Sequence, residues 1–381
     1  MLRKTYIACS ALAVSGIAPG YLLAADTPPA DAAPAAPVGN KLSQILDEIG
    51  LAVTGYVSSS FYHSTGNSTL HQFDIEHNTF QLDQASITVA YQPKEGFGAL
   101  VDLTAGEDAR VLNAAETGGP TTPGSGTNSA FEVTQAYLQY AHGPLTVIAG
   151  KFVTLAGAEV IDPTKNTQFS RSLLFFSEPL THTGVRATYA ATDTLNLIVG
   201  VNNGWNYTST SYGSKTAELG VAYTPNKIVA VTAQAYIGKD PSADALRTLV
   251  DGVVTVNATS QLSVGVNANW GKQDEQPSSG LPNLDWTTVA LYANWAFNDQ
   301  WRVSGRGEVL DDKEGFVTGA QQKVKEATVT FGYAPVKAFE LRAELRYDWS
   351  NQPTFVSKVN NQASFNDHQT GFALQGLYKF L

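Results

Sequence analysis

The sequence contains almost no sulfur. Its 381 residues include one cysteine, Cys9, and one methionine, Met1. Cys9 lies near the start of the first apolar segment, whereas a lipoprotein anchor needs a cysteine at the end of that segment. A single cysteine also excludes a disulfide framework and a cysteine-ligated metal centre. We therefore expect neither a lipid anchor nor a thiolate site.

Charge is scarce as well, and long apolar runs are missing. Charged residues make up 15% of the chain, against about 25% in a typical soluble domain. No run of about 18 apolar residues, which a membrane helix needs, follows residue 25. This combination suits a transmembrane β-barrel, in which only every second residue faces lipid. The net charge of −10 argues against a nucleic-acid partner.

Groups that could carry out catalysis are few. The chain has six histidines, and three of them, His63, His71 and His77, share a loop with acidic residues. Their spacing matches no strong metal-ligand motif. No phosphate-binding loop, nucleotide-binding glycine fingerprint or nucleophile elbow stands between a strand and a helix. We expect neither an enzyme nor a bound metal or cofactor.

The first fifty residues divide into three segments. Residues 1–25 place Arg3 and Lys4 before an apolar stretch that ends in small residues, which predicts a cleaved secretory signal peptide. Residues 26–40 are rich in Ala and Pro and predict a disordered periplasmic leader. Residues 41–50 have apolar side chains at helical spacing and predict a short amphipathic helix. That helix is either a simple lead-in or a plug or subunit contact, and residues 51–381 remain for the barrel.

Alternation of apolar and polar residues dominates the remaining chain. In FELRAELRYDWS, Phe339–Ser350, every second residue is apolar and those between are charged or polar. A period of two indicates an extended strand with one apolar and one polar face. On its own the pattern fits a water-facing antiparallel sheet as well as a lipid-facing one.

The connections between such runs favour the membrane. About seven short turns alternate with about eight long polar loops, which implies about sixteen strands of about ten residues each. This predicts an all-β fold: an antiparallel up-and-down barrel in the bacterial outer membrane, with short periplasmic turns and long extracellular loops. A barrel of this width can enclose an aqueous channel.

Aromatic residues gather where the strands meet the turns. We expect the first interfacial girdle to contain Tyr91, Phe97, Tyr140, Tyr189, Tyr223, Phe297, Trp301, Tyr333 and Phe339. A second girdle near the long loops would contain Trp270, Trp286, Tyr236 and Trp349.

Several long motifs resemble one family of bacterial outer-membrane proteins. They include GKFVTLAGAEVIDPTKNTQFSRSLLF at residues 150–175, HTGVRATYA at 182–190 and KEATVTFGYAPVKAFELRAELR at 325–346. Together with QPKEGFGALVDLTAGEDA and TQAYLQYAHGPLTV they resemble the OmpL-like β-barrel porin family, from about residue 50 to the end. The resemblance implies an outer-membrane porin. One departure is that Leu381 follows Phe380, whereas many barrels end on an aromatic residue.

The polar phase of the strands predicts which side chains line the lumen. The charged candidates are Lys151, Arg186, Glu218, Arg247, Asp251, Arg302, Arg306, Glu308, Glu326, Glu340, Arg342, Glu344, Arg346 and Asp348. They form either a solvated ladder of paired charges or a transverse field that selects ions. An arginine-controlled field would favour anions.

The loop at residues 153–180 is the longest of the set and the third in order. By analogy with general porins, we expect it to fold into the barrel and narrow it, although an outward surface loop is the competing interpretation. Glu159, Asp162, Lys165 and Arg171 would then border the constriction and face wall arginines such as Arg186. Cation preference would follow if Glu159 and Asp162 control the field.

Two functions are consistent with these features. The first is passive diffusion of small hydrophilic solutes and ions through a water-filled channel. The second is a plugged or structural barrel whose loops form a receptor or adhesion surface. The expected partners are outer-membrane lipid and, by analogy with general porins, two further copies of the chain in a homotrimer.

Overall fold

The computed structural model describes residues 46, 48–117, 129–211, 213–241, 244–274, 283–359 and 362–380. The predicted signal peptide and leader, residues 1–40, lie outside this part of the chain. Of the predicted helix at 41–50, Leu46 and Glu48 are described and helical.

Sixteen antiparallel strands close into one up-and-down barrel, which confirms the predicted fold class. The barrel strands are β1 Leu51–Ser64, β2 Thr79–Tyr91, β3 Gly96–Ala105, β4 Phe131–His142, β5 Leu145–Val153, β6 Thr181–Thr192, β7 Leu195–Asn202, β8 Thr216–Tyr223, β9 Val229–Asp240, β10 Ala245–Asn257, β11 Leu262–Gln273, β12 Leu284–Ala296, β13 Trp301–Asp312, β14 Gln322–Val336, β15 Phe339–Ser350 and β18 His368–Phe380. Each strand pairs with its sequence neighbours, and β1 closes the barrel on β18 through Gly55↔Phe380 to Ser64↔Gly371. A separate hairpin of β16 Phe355–Val359 and β17 Gln362–Asn366 interrupts the last long loop.

Within the described residues, the long loops contain two α-helices and one 3-10 turn. Helix α1, Glu107–Thr117, follows β3, and helix α2, Leu173–Phe176, precedes β6. A 3-10 turn spans Pro163–Lys165. No helix in the described ranges has the length and apolarity needed to cross a membrane.

Strand β15 shows how the alternating sequence is used. Leu341, Leu345 and Tyr347 are exposed on the outer face, whereas Arg342 and Arg346 are buried inside. A charge at the lipid midplane would cost about 2–4 kcal/mol, so this phase is the favourable one. The lipid-facing and lumen-facing phases of this strand agree with the prediction from its sequence.

Aromatic side chains mark the short-turn end of the barrel, as predicted. Seven of the nine expected girdle residues are well exposed: Tyr91, Phe97, Tyr140, Tyr189, Tyr223, Phe297 and Trp301. Tyr333 and Phe339 are half-buried there, and Tyr333 stacks on Trp301 at 4.2 Å between ring centroids.

At the long-loop end, half of the predicted girdle is wrong. Trp270 and Trp349 face outward, but Tyr236 and Trp286 are fully buried inside the barrel. Both lie in the polar phase of their strands, since Tyr236 follows Gln234 by two positions and Trp286 precedes Thr288 by two. The alternation of apolar and polar residues therefore places both side chains inside the barrel, although tyrosine and tryptophan are typical of a membrane interface.

The long loops fold into the barrel and give it an internal apolar core. Leu70 from the β1–β2 loop, Leu173 from α2 and Phe355 from β16 pack against wall residues that include Trp286 and Leu310. A second cluster joins Phe73 to α1 and the loop after β5; its members include Val111, Leu112, Ile161 and Phe175. Helix α1 begins with two acidic residues, which favours helix formation at that end, and its apolar face is buried in the lumen.

Candidate functional site: the lumen and loop 3

The central feature of the lumen is loop 3, residues 153–180, which leaves β5 and returns to β6. Its first part is fixed to the far wall by backbone donors. Leu155 N donates to the Tyr236 hydroxyl at 2.9 Å, and Gly157 N donates to Asp251 Oδ1 at 2.9 Å. Ala158 N donates to Asn267 Oδ1 at 2.7 Å. Loop 3 therefore crosses the barrel interior to reach β9, β10 and β11.

Two wall carboxylates bind the middle of loop 3. Glu344 on β15 accepts hydrogen bonds from Phe169 N and Ser170 N at 2.7 and 2.9 Å. Glu308 on β13 accepts from Leu173 N and Leu174 N at 2.8 and 3.1 Å, at the start of α2. Backbone N–H groups buried away from water need such acceptors. The two predicted wall acids thus hold the loop.

Wall arginines bind the same loop through its carbonyl oxygens. Arg302 donates to Thr167 O at 2.7 Å, and Arg346 donates to Arg171 O at 2.6 Å. Arg342 donates to Pro163 O at 3.1 Å and to Gln168 O at 3.2 Å. These predicted lumen residues are brought together on one wall, where loop 3 covers them.

Arg306 occupies the centre of the contact between loop and wall. Its guanidinium lies 2.7 Å from Glu159 of loop 3, 2.8 Å from Glu326 on β14 and 3.6 Å from Glu308. It also donates to Ser170 O at 2.9 Å. Because these side chains are nearly or fully buried, their interaction is weakly screened by solvent.

The partners of Glu159 and Arg186 differ from the sequence expectation. Glu159 was expected to face Arg186, but it pairs with Arg306. Arg186 instead forms a two-point contact with Glu218 on β8, at 3.0 and 2.7 Å. Arg186 and loop 3 still meet, since Arg186 donates to Val153 O at 3.2 Å.

Arg171 and Lys151 have structural partners of their own. Arg171 turns back into loop 3, donating to the carbonyl oxygens of Val160 and Ile161 at 2.9 and 2.8 Å. Lys151 lies between Glu116 of α1 and Glu132 of β4, at 2.5 and 2.8 Å. Both side chains are buried.

Four of the predicted charged residues keep contact with solvent. The side chains of Asp162 and Lys165 are 25% and 42% exposed, and their charged atoms lie 3.7 Å apart. Asp162 also caps the 3-10 turn by accepting from Thr164 N at 2.8 Å. Arg302 and Glu340 are partly exposed and paired. Solvent therefore reaches the part of loop 3 around Asp162 and Lys165, but not the Arg306 cluster.

Sequence reasoning missed two of the three wall residues that fix the first part of loop 3, since only Asp251 was among the predicted lumen residues. Tyr236, Asp251 and Asn267 all lie in the inward phase of β9, β10 and β11. The alternation of residues along these strands indicates that all three side chains point inward, and Asp251 belongs to the polar phase of its strand. The identity of their partners depends on contacts across more than 80 residues of chain, which periodicity does not encode.

A turn at Gly157 lets the loop pass close to Glu178. Gly157 has φ +88°, a conformation that favours glycine, and a Cβ there would overlap the Glu178 carboxyl group. Burial raises the pKa of Glu178 well above its usual range, with the charges of Asp251 and Glu159 adding to the effect. These effects favour the protonated form of Glu178.

The loop between β1 and β2 is held by a buried histidine. His71 contacts Asp74 through Nδ1 and Asp348 of β15 through Nε2, the latter at 3.1 Å. Both ring nitrogens meet carboxylates, so the ring is positively charged when both contacts are hydrogen bonds. No group of three or more potential metal ligands occurs among the residues that the structure describes.

These features define the class of protein. A closed sixteen-stranded barrel with an apolar outer face, a charged inner face and a third loop folded inside is an outer-membrane porin fold. Family comparison gives the same result. Residues 48–380 match the family model described as "Putative beta-barrel porin-2, OmpL-like". The chain belongs to this family and is a porin of the bacterial outer membrane, a class of channels rather than enzymes.

Solved porin structures share the fold. OmpT of Vibrio cholerae superimposes with a TM-score of 0.60 at 13% identity, over 87% of this chain and 97% of that chain. The outer-membrane channel DcaP of Acinetobacter baumannii gives 0.58 at 14% identity, over 87% and 97%. An anion-selective porin from Comamonas acidovorans gives 0.60 at 11% identity, over 87% and 99%. No protein of curated function matches the sequence.

Proposed function

We propose that the lumen conducts small hydrophilic solutes and ions by passive diffusion, and that loop 3 forms its constriction. The supporting observation is the attachment of loop 3 across the interior, by hydrogen bonds to Asp251, Glu308 and Glu344. These contacts cover one wall of the lumen, and the side chains of Asp162 and Lys165 remain exposed to solvent. Solutes pass on that side of the loop, and the chain has no catalytic role.

The assembly that we propose is a homotrimer in outer-membrane lipid. One structure of OmpT from Vibrio cholerae, which shares the fold at 11% identity, is a trimer form. Residues 1–25 act in this proposal as a signal peptide, 26–40 as a periplasmic leader and 41–50 as a helix before the barrel. Chemical cross-linking of the refolded protein in detergent tests the assembly, because a trimer gives a ladder that stops at three chains.

A plugged barrel is the second candidate, and one observation favours it. Inward side chains are buried at almost every level of the described wall, and α1 fills space beside loop 3. A barrel sealed in this way would present its outer loops as a binding surface. The two candidates differ in whether the protein conducts.

Conductance with thiol labelling tests the channel and the place of loop 3 together. Lys165→Cys is made in a Cys9→Ser background, since Cys9 is the only native cysteine. A sulfonate-bearing methanethiosulfonate reagent should lower the single-channel current of Lys165→Cys in a planar bilayer, because its added group narrows the passage. Lys227→Cys, in the exposed β8–β9 turn, is the matched control and should be unaffected.

The outcomes separate the candidates. Stepwise openings whose single-channel current falls only in labelled Lys165→Cys support loop 3 as the constriction. Openings that labelling leaves unchanged would remove loop 3 from the passage. A protein that inserts without conducting would favour the plugged barrel.

A further inference from the structure

The inner-wall arginines have acidic partners. Among the described residues this holds for each arginine of β6, β10, β13 and β15: Arg186 with Glu218, Arg247 with Asp240, Arg302 and Arg342 with Glu340, Arg306 with Glu326, and Arg346 with Asp348. Each nitrogen-to-oxygen distance is between 2.5 and 2.9 Å. Arg302 and Arg342 share Glu340, whereas Arg306 also contacts Glu159 and Glu308. The positive charges are thus compensated within the cluster and contribute little net field to the lumen.

The acids of β2 and β3 are bound differently. Asp83 on β2 accepts hydrogen bonds from Ser58 and Ser60 at 2.7 and 2.6 Å. Asp102 on β3 accepts from Ser86 and Thr88 at 2.9 and 3.2 Å. These neutral donors orient a carboxylate without cancelling its charge. Among the described residues, neither Asp83 nor Asp102 forms an ion pair, so whatever negative charge they carry is not offset by a neighbouring cation.

A third acid connects this wall to loop 3. Asp108 of α1 accepts from Gln84 at 2.7 Å, and Gln84 also donates to Ile161 O of loop 3 at 3.1 Å. The other carboxyl oxygen of Asp108 has no hydrogen-bond partner, although the residue is only 4% exposed. A buried carboxylate oxygen without a donor is costly, which favours the protonated form of the Asp108 side chain.

Only part of this acidic set is charged and reachable. Burial raises the pKa of Asp108 well above its usual range, and the charge of Asp83 adds to this, which favours the neutral form of this carboxyl group. Asp102 on the wall and Asp162 on loop 3 are partly exposed, and their charges act on each other. Lys165 lies 3.7 Å from Asp162 and offsets one charge, which leaves the passage net negative.

We infer that the channel conducts small inorganic cations in preference to anions, and that Asp102 is the wall residue that sets this preference. The inference rests on the channel function proposed above. Charges that line a pore select ions of opposite sign, and here the uncompensated charge faces Asp162 rather than the arginines. This preference for cations is opposite to the anion selectivity of the porin from Comamonas acidovorans, which resembles this chain in its fold alone.

Reversal potentials in a KCl gradient test the inference at pH 7.5. The native protein should reverse at the sign for K⁺ permeation, and Asp102→Asn should lower the K⁺/Cl⁻ permeability ratio by about threefold, the effect of one charge near an ion path in water. Asparagine keeps an acceptor for Ser86, so the wall geometry is preserved. Asp162→Asn should act in the same direction and still cap the 3-10 turn.

Asp299→Asn is the control, since Asp299 lies exposed in the β12–β13 turn. It removes the same charge far from loop 3 and should leave the ratio unchanged. Openings with Cl⁻ preference in the native protein, or a ratio unaffected by Asp102→Asn, would overturn the cation inference while the channel stands. Protein that inserts into the bilayer without conducting would overturn the proposed channel function itself.

Discussion

At the scale of single residues, Arg306 is the side chain on which loop 3 and the wall depend most. It is surrounded by Glu159, Glu308 and Glu326 within 3.6 Å, and all four groups are nearly or fully buried. A buried ion pair adds little stability over an apolar pair, but removing one partner leaves charges without compensation.

Arg306→Met should therefore lower the free energy of unfolding by about 3–5 kcal/mol. Urea titration of the protein in lipid vesicles, followed by tryptophan fluorescence, measures the change. Lys323→Met is the matched control: Lys323 forms an exposed pair with Asp311 at 2.9 Å, and its loss should cost below about 1 kcal/mol. Equal losses in the two variants would contradict a special role for Arg306.

Strand periodicity predicted which way Arg306 points, but not which groups it meets. Alternation placed Arg302, Arg306, Arg342 and Arg346 on the inner face, as the structure has them. Glu159 and Arg306 are 147 positions apart in sequence, and their contact follows from the path of loop 3. Sequence reasoning named Arg186 as an example of the wall arginines that the loop would face.

At the scale of elements, the β1–β2 loop is held in the barrel by His71. Burial and the Arg346 guanidinium oppose a charge on this ring, but Asp74 and Asp348 outweigh them and raise the pKa of His71 above its ordinary value. Tyr62 and Gln369 also contact the ring, at 3.4 and 3.0 Å. A raised histidine pKa stabilises the folded loop below about pH 6.5.

That contribution is lost as the pH rises through the elevated pKa. We therefore expect the loop at residues 65–78 to open more readily in alkaline solution. Amide hydrogen exchange of this segment, corrected for the intrinsic pH dependence, should show the loss of protection. His71→Gln should remove the pH dependence. His63→Gln, at an exposed histidine of β1, should keep it; if it abolished the transition instead, His71 would not be its source.

The elements differ in how well the sequence predicts them. Sixteen strands follow from the period of two and from the alternation of short turns with long loops. Helix α1 was read as part of a polar loop, although Asp108, Val111, Leu112 and Ala115 have helical spacing. The signal was weak because eleven residues give about three turns, a length at which packing rather than propensity decides helix formation. Here the packing partner is loop 3.

At the scale of the whole molecule, the barrel wall can be separated from the loops that fill its interior. Each barrel strand pairs with the strand on either side of it, and Val153 pairs with Thr181 at the two ends of loop 3. A short connection can therefore replace most of the loop without breaking the β5–β6 pairing. The charges at Glu308, Glu344 and Arg306 would then face water, which can satisfy them.

Replacing residues 158–175 by a short Gly/Ser linker should leave a folded barrel with a conductance raised severalfold, because a sixteen-stranded barrel without an inward loop is wide enough for an open aqueous channel. Single-channel recording in a planar bilayer measures the rise, and the heat-dependent shift of the barrel on a denaturing gel shows that it is folded. A folded variant whose conductance is unchanged would mean that α1 and the β1–β2 loop close the lumen by themselves. That result would assign the barrier to the extracellular half of the barrel and would favour the plugged form over the constricted channel.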